Sequence, residues 1–190
     1  HSGEHIIDIA AGGLHSAIVT NEGRIFTAGS SDDSGALGRD GGLGFMPIFS
    51  QSQSKLFAKV VASQVYTLAL DTLGNAWSTG SNAYGQLCLG DTINRDRFEQ
   101  VTIPKSDSKI VDVALGERHT LLLLENGKVY GCGWNQYGQL GIGIKGKNVL
   151  APVEIIIDHD DAENGHHTKD VGTVDHENII AIAAGRGTSY

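Results

Sequence analysis

The chain has 190 residues, of which 26 are glycine and only 3 are proline, and its formal net charge is −8. This length suits one domain. Glycine makes up about 14% of the chain, roughly twice the average, but proline is scarce. The scarcity of proline excludes a collagen and a disordered chain rich in proline and glycine. Wholly aliphatic runs such as Leu121–Leu124 are far shorter than the ~20 residues of a membrane-spanning helix, so no membrane association is predicted. Frequent glycine without proline indicates many tight turns, which are typical of a fold with many short strands.

The first predicted elements are strands. Ile6–Ala10 is a short β-branched run, and Leu14–Thr20 and Arg24–Ala28 flank the turn Asn21-Glu22-Gly23, where glycine supports a positive φ. A last strand is predicted over Pro47–Phe49. These four segments read as one small antiparallel sheet.

The same arrangement then recurs along the chain. His15, Tyr66 and His119 are each followed by a glycine 8 residues later and by another 6 residues after that. The second glycine of each pair is Gly29, Gly80 or Gly133, and the later units have predicted last strands at Phe98–Ile103 and Pro152–Ile157. A fourth copy opens at Ile179. The predicted repeats are about 5–56, 57–108, 109–178 and an incomplete 179–190, with an insertion at 158–177.

Small sheets repeated at about 50 residues predict an all-β fold, a β-propeller with about three blades and the start of a fourth. Gly116-Glu117-Arg118-His119-Thr120 and Trp134-Asn135-Gln136-Tyr137-Gly138-Gln139-Leu140-Gly141 resemble the RCC1 (regulator of chromosome condensation 1) repeat family. That resemblance implies seven blades. We therefore expect a segment of a longer propeller, with self-association that completes a ring as the alternative.

The recurring residues are expected to be structural. His15 beside Ser16 and His119 beside Thr120 could suggest a base and a nucleophile, but a residue repeated in every blade usually bonds strands or neighbouring blades. We give the same structural role to Tyr66, Gly29, Gly80 and Gly133. No catalytic residue and no cofactor site is predicted, because the dinucleotide-like letters of Gly141–Gly146 lack a following helix.

Basic residues follow each Gly-x-Leu motif and are predicted to share one rim of the propeller. Such a rim could contact phosphates or an acidic partner. The alternative is a set of solvated loops, since nearby aspartates cancel part of the charge. The candidates are Arg39, Arg95, Arg97, Lys145 and Lys147.

The insertion at 158–177 carries a net charge of −6, which leaves −2 for the rest of the chain. Asp160, Asp161 and Glu163 are candidates for docking a basic partner, and a solvated loop is the alternative. Four histidines are weak metal-ligand candidates because their spacing matches no closed site. These are His159, His166, His167 and His176.

Cys88 and Cys132 form no metal-ligand spacing and are predicted to be free buried thiols in a reducing intracellular compartment. We predict a non-enzymatic module without cofactor that binds a macromolecule through blade rim loops. The family resemblance implies an alternative: a guanine-nucleotide exchange factor for a Ran-type small GTPase that also binds chromatin. Nuclear localisation is expected from the resemblance alone, and cytoplasmic localisation is the other expectation.

Overall fold

The computed structural model describes residues 3–30, 34–40, 44–47, 55–104, 106–156 and 179–185. Within these ranges there is no helix, and therefore none that could span a membrane. The strands form three four-stranded antiparallel sheets, each built from consecutive strands. The predicted all-β class with propeller blades is confirmed.

Each sheet is one blade. The first contains β1 (Ile6–Ala11), β2 (His15–Thr20), β3 (Ile25–Gly29) and β4 (Met46–Pro47). The second contains β5 (Phe57–Ala62), β6 (Tyr66–Asp71), β7 (Ala76–Gly80) and β8 (Arg95–Gln100). The third contains β9 (Ile110–Leu115), β10 (His119–Leu124), β11 (Val129–Gly133) and β12 (Val149–Ile155).

The last strand of each blade begins earlier in the chain than the sequence predicts. In the second blade it covers Arg95–Gln100, not Phe98–Ile103. In the third it begins at Val149, and in the first at Met46, where residues 48 and 49 lie outside the described ranges. These strands pair on one side only and face solvent, so charged residues are tolerated in them and apolar alternation does not mark their start.

The hydrophobic core lies between the blades. One cluster joins the first and second blades through side chains that include Val19, Phe57 and Trp77. A second cluster joins the second and third blades through Leu68, Val113 and others. Every residue of β6 and β10 is buried, because these strands have a paired strand on each side and a packed neighbour.

The strand order defines two faces of the blade stack. The loops between the first and second strands, at 12–14, 63–65 and 116–118, lie at one end with the connections that lead to the last strands. We call this end the long-loop face. The tight turns between the second and third strands, which carry Gly23, Gly74 and Gly127, form the opposite end, the hairpin-turn face.

The cysteines form a disulfide, so the prediction of two free thiols is wrong. Cys88 ends the Gly-x-Leu loop of the second blade, and Cys132 lies in β11 of the third, 44 residues away. The hydroxyl of Thr120 donates to the carbonyl of Gln86 at 2.7 Å, which holds that loop against the third blade. Blade stacking creates this proximity, and sequence spacing does not reveal it. The cysteines therefore no longer support a reducing compartment.

Candidate interaction surface

The repeated histidine of the first blade bonds to the second blade. Nε2 of His15 lies 2.7 Å from the hydroxyl of Thr67, which itself donates to the carbonyl of Ala36 at 2.8 Å. Because the threonine proton is committed to Ala36, Nε2 of His15 is the donor in the first bond. All of this is buried, and burial lowers the pKa of His15. The imidazole is therefore a neutral structural link.

Tyr66 occupies the equivalent position in the second blade and reaches the third. Its hydroxyl lies 2.7 Å from the carbonyl oxygen of His119 and 3.0 Å from that of Gly116. The hydroxyl of Thr120, the counterpart of Thr67, lies 3.3 Å from it. Burial raises the pKa of Tyr66, so the phenol keeps its proton. Both blade junctions are thus held by a ring side chain, a threonine and a loop carbonyl.

The backbone conformation explains why a glycine lies opposite each ring residue. Gly80 pairs with Tyr66 across β6 and β7 and has a φ of 114°. A Cβ there would lie 2.6 Å from Cα of Tyr66, closer than packing permits. Gly29 and Gly133 pair in the same way with His15 and His119 and also have positive φ.

Arg39 does not lie on an exposed rim, so this part of the predicted surface is corrected. The side chain is buried at 8% exposure. Its Nε and Nη2 donate to the hydroxyl and carbonyl of Thr27 at 2.9 and 2.7 Å, and Nη2 also reaches the carbonyl of Gly44. The guanidinium ties the long loop of the first blade to β3, which leaves it unavailable to a partner.

Arg95 and Arg97 lie in β8, and both are neutralised locally. Arg95 bonds Asp91 at 2.7 Å and Glu99 at 2.8 Å, and its hydrogen bonds hold the pKa of Asp91 below its usual value. Arg97 bonds Asp40 at 2.7 Å across the junction between the first and second blades. These ion pairs weaken the field that the predicted basic rim could present.

Lys145 and Lys147 are exposed on the long-loop face. No carboxylate of the described ranges lies within ion-pair distance of either. A further set of candidates lies outside the described residues: Asp160, Asp161, Glu163 and the weak metal candidates His159, His166, His167 and His176. Across the described residues no cluster of ligand-type side chains could hold a metal ion.

Sequence reasoning missed a cluster of aromatic side chains around a cation on the long-loop face. The guanidinium carbon of Arg118 lies 4.9 Å from the ring centroid of Tyr84 and 5.5 Å from that of Trp134. The rings of Trp134 and Tyr137 meet edge to face at 5.3 Å. We call these four residues the aromatic patch. A signal for it exists in the sequence, since Tyr84 and Tyr137 both precede the glycine of a Gly-Gln-Leu motif.

Comparison with known families and proteins gives consistent matches. Profiles described as the regulator of chromosome condensation (RCC1) repeat match residues 6–35 and 110–139, and residues 74–123 and 126–190. The chain is 30% identical to the mitochondrial RCC1 domain-containing protein RUG3 of Arabidopsis thaliana, over 79% of this chain and 35% of that protein. It is 28% identical to the human X-linked retinitis pigmentosa GTPase regulator, over 80% of this chain and 15% of that protein.

Similar solved structures have the same fold. Yeast RCC1 (Prp20), in a structure bound to Kap60, superposes with a TM-score of 0.73 at 20% identity, over 98% of this chain and 41% of that one. Prp20p of Saccharomyces cerevisiae, in a study of its binding to Gsp1p and histones, superposes with a TM-score of 0.70 at 19% identity, over 97% and 43%. The chain thus spans less than half the length of these relatives.

Proposed function

The chain belongs to the regulator of chromosome condensation (RCC1) repeat family, and from this premise we propose that it is a non-enzymatic interaction module. It would bind a macromolecular partner through the loops of its long-loop face. In repeat folds of this kind the stacked blades supply a rigid support, and function resides in the loops.

One observation carries this proposal: the reactive side chains of the repeat motif hold the blades together. His15 and Thr67 are buried and bonded to each other, and Tyr66 is buried and bonded to the third blade. The exposed groups lie instead in the loops, where Tyr137, Lys145 and Lys147 face solvent. The exposed residues are therefore better suited to binding a partner than to catalysing a covalent step.

An exchange factor for a Ran-type GTPase that also binds chromatin, with nuclear localisation, is the second candidate. It is supported by the name of the human relative, a GTPase regulator, and by the similarity to yeast Prp20p, whose binding to Gsp1p and histones was studied with its structure. An exchange factor acts by binding the nucleotide-free GTPase more tightly than the loaded form. It therefore needs a docking surface and no acid–base pair.

The two candidates separate in a nucleotide-release assay. A Ran-type GTPase loaded with fluorescent GDP is mixed with the chain and excess unlabelled nucleotide, and release is followed over time. A large acceleration would establish exchange activity. A release rate equal to the intrinsic rate would exclude exchange by this chain and leave the binding module.

The binding module itself is tested by site-specific photo-crosslinking in cell extract. A photoreactive amino acid replaces Gln136, exposed on the long-loop face, or Leu73, 70% exposed on the hairpin-turn face. We expect discrete adducts from position 136 and few from position 73. Equal labelling from both positions, or from neither, would contradict the proposal.

A further inference from the structure

We propose that the aromatic patch, with Lys145 and Lys147 beside it, is the docking site for an acidic segment of a partner protein. This inference rests on the proposed binding function and names the place and the chemistry of the contact. It concerns Tyr84 of the second blade and Arg118, Trp134 and Tyr137 of the third, so the site spans one blade junction.

The composition of the patch is that of an interaction hot spot. Tyrosine, tryptophan and arginine are the residues that most often carry binding energy at protein interfaces. Tyr137 is 79% exposed, the most exposed aromatic side chain among the described residues, and the side chain of Arg118 is 39% exposed. A large ring left in water beside two other rings gains more from a partner than an isolated surface residue does.

The cation at the centre is held in place. Nη1 of Arg118 donates to the hydroxyl of Tyr84 at 3.0 Å, and Nη2 bonds the carboxylate of Glu117 at 3.1 Å. Cation–π contacts with the rings of Tyr84 and Trp134 restrict the guanidinium further. Binding of a partner therefore costs little conformational entropy at this residue.

The loop that presents Tyr137 is equally ordered. Oδ1 of Asn135 accepts a bond from the backbone N of Leu140 at 3.1 Å, and Nδ2 donates to the carbonyl of Ile144 at 2.9 Å. The backbone N of Tyr137 donates to Oε1 of Gln139. The preceding blade repeats two of these bonds with its own equivalent residues. The rings are thus presented on fixed backbone, which favours binding.

The charge beside the patch selects an acidic partner. Lys145 lies close to Gly138, the residue that follows Tyr137: a Cβ built on Gly138 would be 3.8 Å from Cβ of Lys145. Lys147 follows in the same exposed loop. Within the described ranges, Glu117 is the carboxylate that contacts the patch, and Arg118 already balances it. The two lysines leave a local excess of positive charge.

A peptide fits this site better than a nucleic acid does. The excess charge of Lys145 and Lys147 can match a short acidic segment, whereas duplex recognition typically engages about 6–10 phosphates. The rings meet edge to face, and this arrangement offers a side-chain pocket more readily than a series of parallel stacking surfaces.

The test uses fluorescence anisotropy with a short labelled peptide rich in aspartate and glutamate around one central phenylalanine. Its matched control replaces every acid with the corresponding amide, and labelled oligo-dT is the nucleic-acid probe. We expect the acidic peptide to bind, and Tyr137→Ala and Lys145→Glu each to weaken it by about tenfold or more. Lys109→Glu, the same charge change at an exposed lysine away from the long-loop face, should leave affinity unchanged.

Three results would overturn the assignment: no binding of the acidic peptide, affinity unaffected by the patch variants, or tighter binding of oligo-dT that those variants abolish. Thermal unfolding of each variant checks that it folds. Photo-crosslinking from position 136 distinguishes failure of the aromatic-patch assignment from failure of the proposed binding function. If adducts persist in the Tyr137→Ala background while the peptide does not bind, the module still binds partners but not through the aromatic patch.

Discussion

Nε2 of His15 donates to the hydroxyl of Thr67 at 2.7 Å, and this bond joins two adjacent blades. The same threonine donates to the loop carbonyl of Ala36 in the first blade at 2.8 Å, so a strand and a long loop of one blade are both tied to one residue of the next. Because all three groups are buried, water cannot replace either bond. His15 therefore bonds a threonine of the next blade and does not form a base–nucleophile pair with the adjacent Ser16.

Thr67→Val should lower the free energy of unfolding by about 1–3 kcal/mol, because it leaves a buried imidazole N–H and a buried carbonyl without partners. Valine keeps the shape and suits a strand. Ser16→Val is the matched control, since Ser16 holds the equivalent position in the first blade and its hydroxyl has no hydrogen-bond partner among the described residues. Urea titration measures both, and equal losses would contradict the role given to Thr67.

Stability should fall as the pH drops below the usual pKa of His15. Burial holds the pKa of this imidazole in the folded protein below its usual value of 6.5. The unfolded chain regains that value and takes up a proton that the folded protein resists, so unfolding is favoured between the lowered pKa and 6.5. His15→Gln keeps a donor near Nε2 without titrating. The variant should lose less stability than the wild type from about pH 8 to about pH 5; parallel curves would disprove the assignment.

Ser63 and Tyr66 should be coupled. In the first and third blades a glycine occupies the position of Ser63, and a Cβ there would collide with the imidazole of the blade's own histidine. Tyr66→His should therefore cost about 2–4 kcal/mol through lost contacts and crowding against Ser63. Adding Ser63→Gly should recover about 1 kcal/mol or more in a double-mutant cycle measured by denaturation. Strict additivity of the two changes in unfolding free energy would show that Ser63 and Tyr66 are not coupled.

The disulfide should contribute about 2–4 kcal/mol by restricting the unfolded chain. Cys88 has a φ of 61°, whereas the equivalent residues of the other blades are Gly38 and Gly141, at 65° and 64°. Cys88→Gly should therefore lose the cross-link, but glycine relieves about 1 kcal/mol of backbone strain at this positive φ. The variant should be more stable than Cys132→Ala, which loses the cross-link and keeps the strain. Denaturation with and without reductant tests this. The reductant should destabilise the wild type and leave both variants unchanged.

The outer charged residues show where sequence reasoning reaches its limit. Arg39, Arg95 and Arg97 all lie in the segments that follow the Gly-x-Leu motifs, Arg39 two residues after Leu37 and the others further along. Their environments differ. The guanidinium of Arg39 hydrogen-bonds to Thr27 and Gly44, whereas Arg95 and Arg97 form ion pairs with nearby acidic residues. A side chain's partners depend on which segments fold beside it, and repeat position alone does not specify them.

The sequence by itself determined the repeat unit, the strand pairing within each blade and the turn glycines, because these depend on residues close together in the chain. It also placed His15, Tyr66 and His119 at one register position. Only the tertiary structure decided what crosses between blades: the Cys88–Cys132 bond and the cation–π contact of Arg118 with Tyr84. Both join residues more than thirty positions apart, and only the packing of one blade on the next brings them into contact.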